Sequence, residues 1–175
     1  MPLGALVDTA TLQTAAKIVL AAALCHGCVS DIRRLRLPNS VWQIALATFF
    51  FNYWLLGARQ DLMPHFQAGA IAFACTFGIY LLIGGLGAGD VKLISALVFW
   101  GGPRDGLVFV FIMTLIGGLF ALVLLVLGKS MARWPAIEPY IPSRRVKAWA
   151  RRRIFPFGVP ICVAGLICIP LFFAP

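Results

Sequence analysis

Between Leu107 and Leu127 the sequence reads LVFVFIMTLIGGLFALVLLVL, an apolar run without one charged side chain. Coiled at ~1.5 Å per residue, such a run matches the ~30 Å hydrocarbon core of a bilayer. The rest of the chain is of the same kind. Of 175 residues, 61% are hydrophobic and 12% charged, and the mean hydropathy is +0.93. Soluble domains carry about 25% charged residues, and a chain this short has too little interior to hide so much apolar surface. Disordered chains depart in the opposite direction, being poor in apolar residues. The composition predicts an all-α, polytopic membrane protein. It has about six transmembrane helices in one membrane-embedded domain over residues 1–175, with no sizeable soluble part.

Working outward from that run, the spans are expected at about 12–30, 41–57, 68–86, 91–101, 107–127 and 154–173, with a basic segment at 129–153. The first run is not read as a signal peptide, because no Lys or Arg precedes Lys17 and a basic cluster follows instead. Trp42 and Trp54 stand near the ends of the second span as interfacial anchors. The fourth span is short. From Lys92 to Trp100 a helix rises only ~14 Å, about half the core, which puts Asp90 below the headgroups in a wet or protein-lined pocket.

The charges are lopsided, with 15 Lys and Arg against 6 Asp and Glu and a formal net charge of +9. If Arg33, Lys92 and the segment from Lys129 to Arg153 share one side, only Arg59 and Arg104 remain in loops on the other. The positive-inside rule then predicts both termini on the non-cytoplasmic side. Few aromatic residues interleave with the basic runs, so no nucleic acid is expected as a partner. The expected contact is a bilayer with anionic headgroups. The segment 129–153 would lie along it, with Trp134, Tyr140 and Trp149 at headgroup level. Cys25, Cys28, Cys75, Cys162 and Cys168 all fall in apolar stretches and read as small buried hydrophobes rather than disulfides. Cys25-His26-Gly27-Cys28 lacks a second pair to complete a four-ligand site, so neither a metal nor a cofactor is expected.

Only six carboxylates exist. Asp8, Asp61 and Asp105 read as solvated loop residues of the outer side, and Glu138 as a counter-charge in the basic segment. Asp31 and Asp90 flank different spans, yet the layout puts both at the same membrane boundary, where ionisable groups are costly unless paired or functional. Each also has a plain reading. Asp31 could pair with Arg33, Arg34 or Arg36, and Asp90 could be an N-cap behind a flexible Gly87-Ala88-Gly89 turn. Position alone leaves these open.

Asp31-Ile32-Arg33 with Leu37-Pro38-Asn39, and Gly87-Ala88-Gly89-Asp90-Val91-Lys92-Leu93, resemble the two signature motifs of the prepilin peptidases, membrane aspartic proteases of the GxGD type. Pro156-Phe157-Gly158 is similar to a Pro-aromatic-Gly element common in that family. The resemblance covers most of the chain, in order. It implies that Asp31 and Asp90 are catalytic, that Gly87, Gly89, Pro38 and Asn39 shape the loops, and that Lys92 belongs to the second motif. Larger family members carry a cytoplasmic segment with paired Cys-x-x-Cys motifs linked to methylation of the new N-terminus. This shorter form looks like the peptidases that accompany tight-adherence (Flp-type) pili.

The implied activity is removal of the short basic leader from prepilins or pseudopilins at the cytoplasmic face of a bacterial inner membrane. The implied mechanism is water attack with one carboxyl as base and the other as acid. Three alternatives stand beside it: an archaeal-type preflagellin peptidase with the same mechanism, a non-enzymatic scaffold of a pilus or secretion machine, and a proton-coupled carrier. No inverted repeat supports the last.

Overall fold

The structure, a computed structural model, describes residues 9–55, 61–83, 85–134, 143–152 and 154–173. Asp8, Arg59, Glu138, Tyr140 and Arg153 lie outside them. Among the described residues every regular element is a helix.

α1 (Thr9–Arg34) carries the first apolar run one turn past its expected end, so Asp31 lies inside the helix rather than in a loop. It stops where Leu35 turns left-handed at φ +53°, with the Leu35 N–H on the Asp31 carbonyl at 2.8 Å. Pro38 then separates it from α2 (Asn39–Leu55). α3 (Leu62–Leu82) begins six residues before the expected span. Asp61, read above as a solvated loop residue, caps it by accepting the Met63 N–H at 3.0 Å.

α4 (Ala88–Arg133) is one element only in name. Gly102 sits at φ +63°, ψ −161°, and Pro103 follows it. A Cβ on Gly101 would lie 2.5 Å from the Gly106 nitrogen, and one on Gly106 3.0 Å from the Val98 carbonyl oxygen. In a straight helix, residues 98 and 106 are separated by about 12 Å of rise, so the chain doubles back into two arms, 88–101 and 103–133. The two arms cover the stretches expected as the fourth and fifth spans, and each helix is longer than the sequence suggested. The second arm absorbs Lys129 to Arg133, which were expected to lie along the membrane surface. The first arm remains short, rising about 20 Å at ~1.5 Å per residue. After the second arm, α5 (Arg144–Arg152) and α6 (Gly158–Phe172) complete the chain.

α1, the first arm of α4 and α6 supply the centre of the core, where Leu20, Leu24, Leu93, Leu97, Ile161 and Cys162 are fully buried. α3 is held almost entirely by α4. Gly69 is its one buried residue, and a Cβ there would come within 2.9 Å of Phe99 Cβ. Leu62, Ala68 and Ala72 are half-buried against the core, while others, such as Ile71, Leu81 and Leu82, face outward, as lipid-facing residues of a membrane protein do. α5 is amphipathic. Trp149 and Ala150 pack on Leu124 and Met131, so Trp149 is buried in protein rather than standing at headgroup level. All five cysteines are free, but Cys25 and Cys75 are exposed and Cys28 half-buried, against the expectation of buried packing for all. A cysteine is apolar enough to face lipid, so an apolar stretch does not by itself imply burial.

Candidate active site

Asp31 lies one turn before the end of α1, and Asp90 is the third residue of α4. Both are buried, at 4% and 8% exposure. The two carboxyls, 59 positions apart in the chain, share one end of the bundle and lie close enough to interact electrostatically. Burying one carboxylate is expensive and burying two together more so, unless hydrogen bonds or a function compensate.

Each carboxyl meets the start of a helix, where backbone N–H groups lack intrahelical partners and the dipole favours an anion. Asp90 Oδ2 accepts the Gly87 N–H at 2.8 Å. Gly87 is therefore the N-cap, and Asp90 closes the first turn from within it rather than capping it itself. Asp31 Oδ2 accepts the Val159 N–H of α6 at 3.1 Å. The Gly158 N–H also faces this carboxyl, so among the described residues Asp31 rests on the start of α6 in place of the ion pair with Arg33, Arg34 or Arg36 that its position allowed.

The turn between α1 and α2 brings the two halves together. A Cβ on Gly89 would lie 3.1 Å from both Cβ and the carbonyl oxygen of Leu37, so glycine lets the α4 entry sit close on the Leu37-Pro38-Asn39 turn. The Pro38 carbonyl accepts the Val41 N–H at 3.2 Å, and Asn39 Oδ1 accepts the Trp42 indole N–H at 3.4 Å. Lys92 takes a different direction. Its ammonium stands 5.7 Å from the Trp42 ring centroid, at one end of an apolar groove of about 500 Å³ between α2, α3 and α4. The structure therefore joins Asp31, Asp90, Gly87, Gly89, Pro38 and Asn39 at one place and sets the Lys92 ammonium against the Trp42 ring.

Three contributors were not singled out in the sequence as site residues. Gly158 has no room for a side chain, since its Cβ would lie 2.8 Å from Asp31 Cγ. Val159 supplies a main-chain donor, for which no side chain can be a signal. Arg145 of α5 donates from Nη1 to the Ile32 carbonyl at 3.1 Å, tying the basic helix to the end of α1. Of these, only Gly158 had a mark in the sequence, the Pro156-Phe157-Gly158 element. Among the described residues no three His, Cys, Asp or Glu side chains come together as a metal-ligand set.

Fold and site together define an all-α membrane protein with two buried carboxyls at one end of its bundle. A model of the type IV leader peptidase family matches residues 18–122, which include both aspartates. The chain belongs to that family and is a membrane-embedded protease. Comparison with curated proteins and with solved structures gave no significant match.

Proposed function

We propose that this protease is an aspartic endopeptidase that removes the short basic leader from prepilins or pseudopilins, with Asp31 and Asp90 as its catalytic pair. The observation that carries this reading is the convergence of two buried carboxyls, from α1 and α4, within electrostatic range of each other. One ionised carboxyl takes a proton from a water, and the water attacks the scissile carbonyl. The protonated partner donates to the carbonyl oxygen; as the resulting diol collapses, the first carboxyl passes the water's proton to the leaving amine and the partner takes its own proton back from a diol hydroxyl. Neither a covalent intermediate nor a cofactor is required. Gly87, Gly89, Pro38 and Asn39 set the approach of the two loops, and Lys92 completes the second motif.

The substrate is an apolar helix behind a basic leader. Its cleavage point lies at the membrane boundary, because a peptide bond must leave its helix to be attacked and unpaired backbone is tolerated there but not in lipid. Arg33, Arg34, Lys92, Arg144 and Lys147 belong to helix ends at the same end of the bundle as the carboxyls. By the positive-inside rule that end faces the cytoplasm of a bacterial inner membrane, next to anionic headgroups, and both termini face away. The motif resemblance points to tight-adherence (Flp-type) pili as the system served.

Co-expression of a small prepilin with the wild type, Asp31→Asn and Asp90→Asn tests the proposal. Leader removal is expected with the wild type alone. Full processing by either variant removes the pair from the mechanism.

A further inference from the structure

We infer that the start of α6 is a working part of the site, with Gly158 and the Val159 N–H positioning Asp31 and holding its ionised form. The inference rests on the proposed aspartic mechanism. It reaches beyond the family match, which ends at residue 122.

Asp31 stands where its own helix is least hospitable to an anion, among the terminal carbonyls of α1. The compensation comes from 128 positions away in the chain. α6 begins beside the carboxyl, and its Val159 N–H, shared with the Pro156 carbonyl at 3.3 Å, reaches Asp31 Oδ2 at 3.1 Å. The approach depends on one missing methyl group. A Cβ on Gly158 would lie 2.8 Å from both Cγ and Oδ2 of Asp31 and 3.0 Å from its Cβ. Glycine is not needed there for its backbone, since Gly158 begins a helix. It is needed for the closeness of the carboxyl. The turn that presents it is firm, with Pro156 fully buried and Phe157 stacked edge-on to Phe155 at 4.4 Å.

Asp90 is held differently, by an N–H three residues back in its own helix entry. The Asp31 contact joins two elements, so the start of α6, with the Val159 and Gly158 N–H groups, bears on how the α1 carboxyl faces the rest of the site. The other titratable groups facing Asp31 are Asp90 from α4, Cys162 from α6 and Cys28 from α1 itself. Arg145 of α5 binds the neighbouring Ile32 carbonyl, and α2 brings no charged side chain.

The test compares Gly158→Ala with Gly165→Ala in the full-length chain, using a small prepilin that the wild type cleaves. Gly165 belongs to the same helix, and its Cβ would crowd Leu24 and Leu97 at 3.1 Å without touching a carboxyl. For Gly158→Ala, kcat should fall by about 10²-fold, the scale of a small misplacement at a reacting centre, with KM within about twofold. The acid limb of its pH–rate profile should move to higher pH, because a carboxylate that loses a donor is protonated more readily. Gly165→Ala should lower the melting temperature and leave the pH profile of the folded enzyme in place.

A wild-type kcat or an unmoved acid limb in Gly158→Ala overturns the inference, as does an equal shift in Gly165→Ala. If Gly158→Ala does not fold, Asp31→Gly should restore folding by clearing the space, and failure of that rescue overturns the inference. If the wild type cleaves no prepilin, the proposed function fails by itself. The stability coupling between positions 31 and 158 then remains the separate reading, with non-additive melting shifts expected and additive ones overturning the placement.

Discussion

The two ends of the bundle solve the same problem with opposite chemistry. At one end, helix starts leave N–H groups without partners, and two carboxyls, Asp31 and Asp90, take them up. At the other end the break at Gly102 and Pro103 leaves a carbonyl. Pro103 has no N–H to give Phe99, so His65 Nδ1 donates to the Phe99 oxygen at 2.8 Å. Around that bond Phe49, Phe99, Trp100, Phe172 and Phe173 pack as a cluster of rings, with the Trp100 indole N–H on the Ala45 carbonyl at 2.9 Å. Glycine permits the close approach at both ends, to a carboxyl at Gly158 and to the His65 ring at Gly102, where a Cβ would lie 3.0 Å away. Capping logic is therefore common to both ends. What separates them is that ring N–H groups of His65 and Trp100 serve at one end, whereas the other end buries acids. Buried acids are a poor device for stability alone.

This contrast sets the order of expected effects. Asp31→Asn and Asp90→Asn keep an oxygen that can accept the same N–H. Each should lower cleavage by about 10³-fold or more while moving unfolding by only about 1 kcal/mol. Chemical or thermal unfolding in detergent micelles, beside a cleavage assay, checks both halves. A large stability loss would make the carboxyls structural and erase the contrast. Trp100→Ala should do the reverse, costing about 3–5 kcal/mol of stability with cleavage falling only as folded protein is lost. His65→Ala comes next, at about 1–3 kcal/mol, because the Phe99 carbonyl loses its donor. Gly102→Ala should cost a similar amount, since it places a side chain at φ +63° against the His65 ring.

Most of the scaffold was legible because span length is set by the bilayer and written as apolar runs. The candidate site was legible only as two separated motifs that carry a family resemblance, since by position alone Asp31 and Asp90 each also had a plain reading. The ends of elements were less so. Leu35 takes a left-handed turn that usually marks glycine, so α1 ran past its expected stop. The Gly101-to-Gly106 stretch read as a loop although nearly all of it is helical, because a single residue carries the reversal. The Val159 contribution was invisible, for a main-chain donor leaves no trace in residue type. The direction of Lys92 was also hidden: two steps along a helix is about 200° of rotation, so adjacency to Asp90 in a motif does not mean adjacency in space.

Lys92 gives the smallest expected effect and the sharpest probe of the contrast. It lies at the acidic end of the molecule but, like Lys17 over Phe173 at 5.6 Å at the other end, it is partnered by an aromatic ring. An exposed cation over an indole is worth about 0.5–1 kcal/mol. Lys92→Met and Trp42→Leu should each lose about that much from the contact, and a double-mutant cycle in unfolding free energy should return a coupling of the same size. If the cycle returns no coupling, the ring contact does not hold the ammonium in place. If Lys92→Met lowers cleavage far more than its stability loss explains, Lys92 swings toward the carboxyls during the reaction, and the acid end then works with three side chains rather than two.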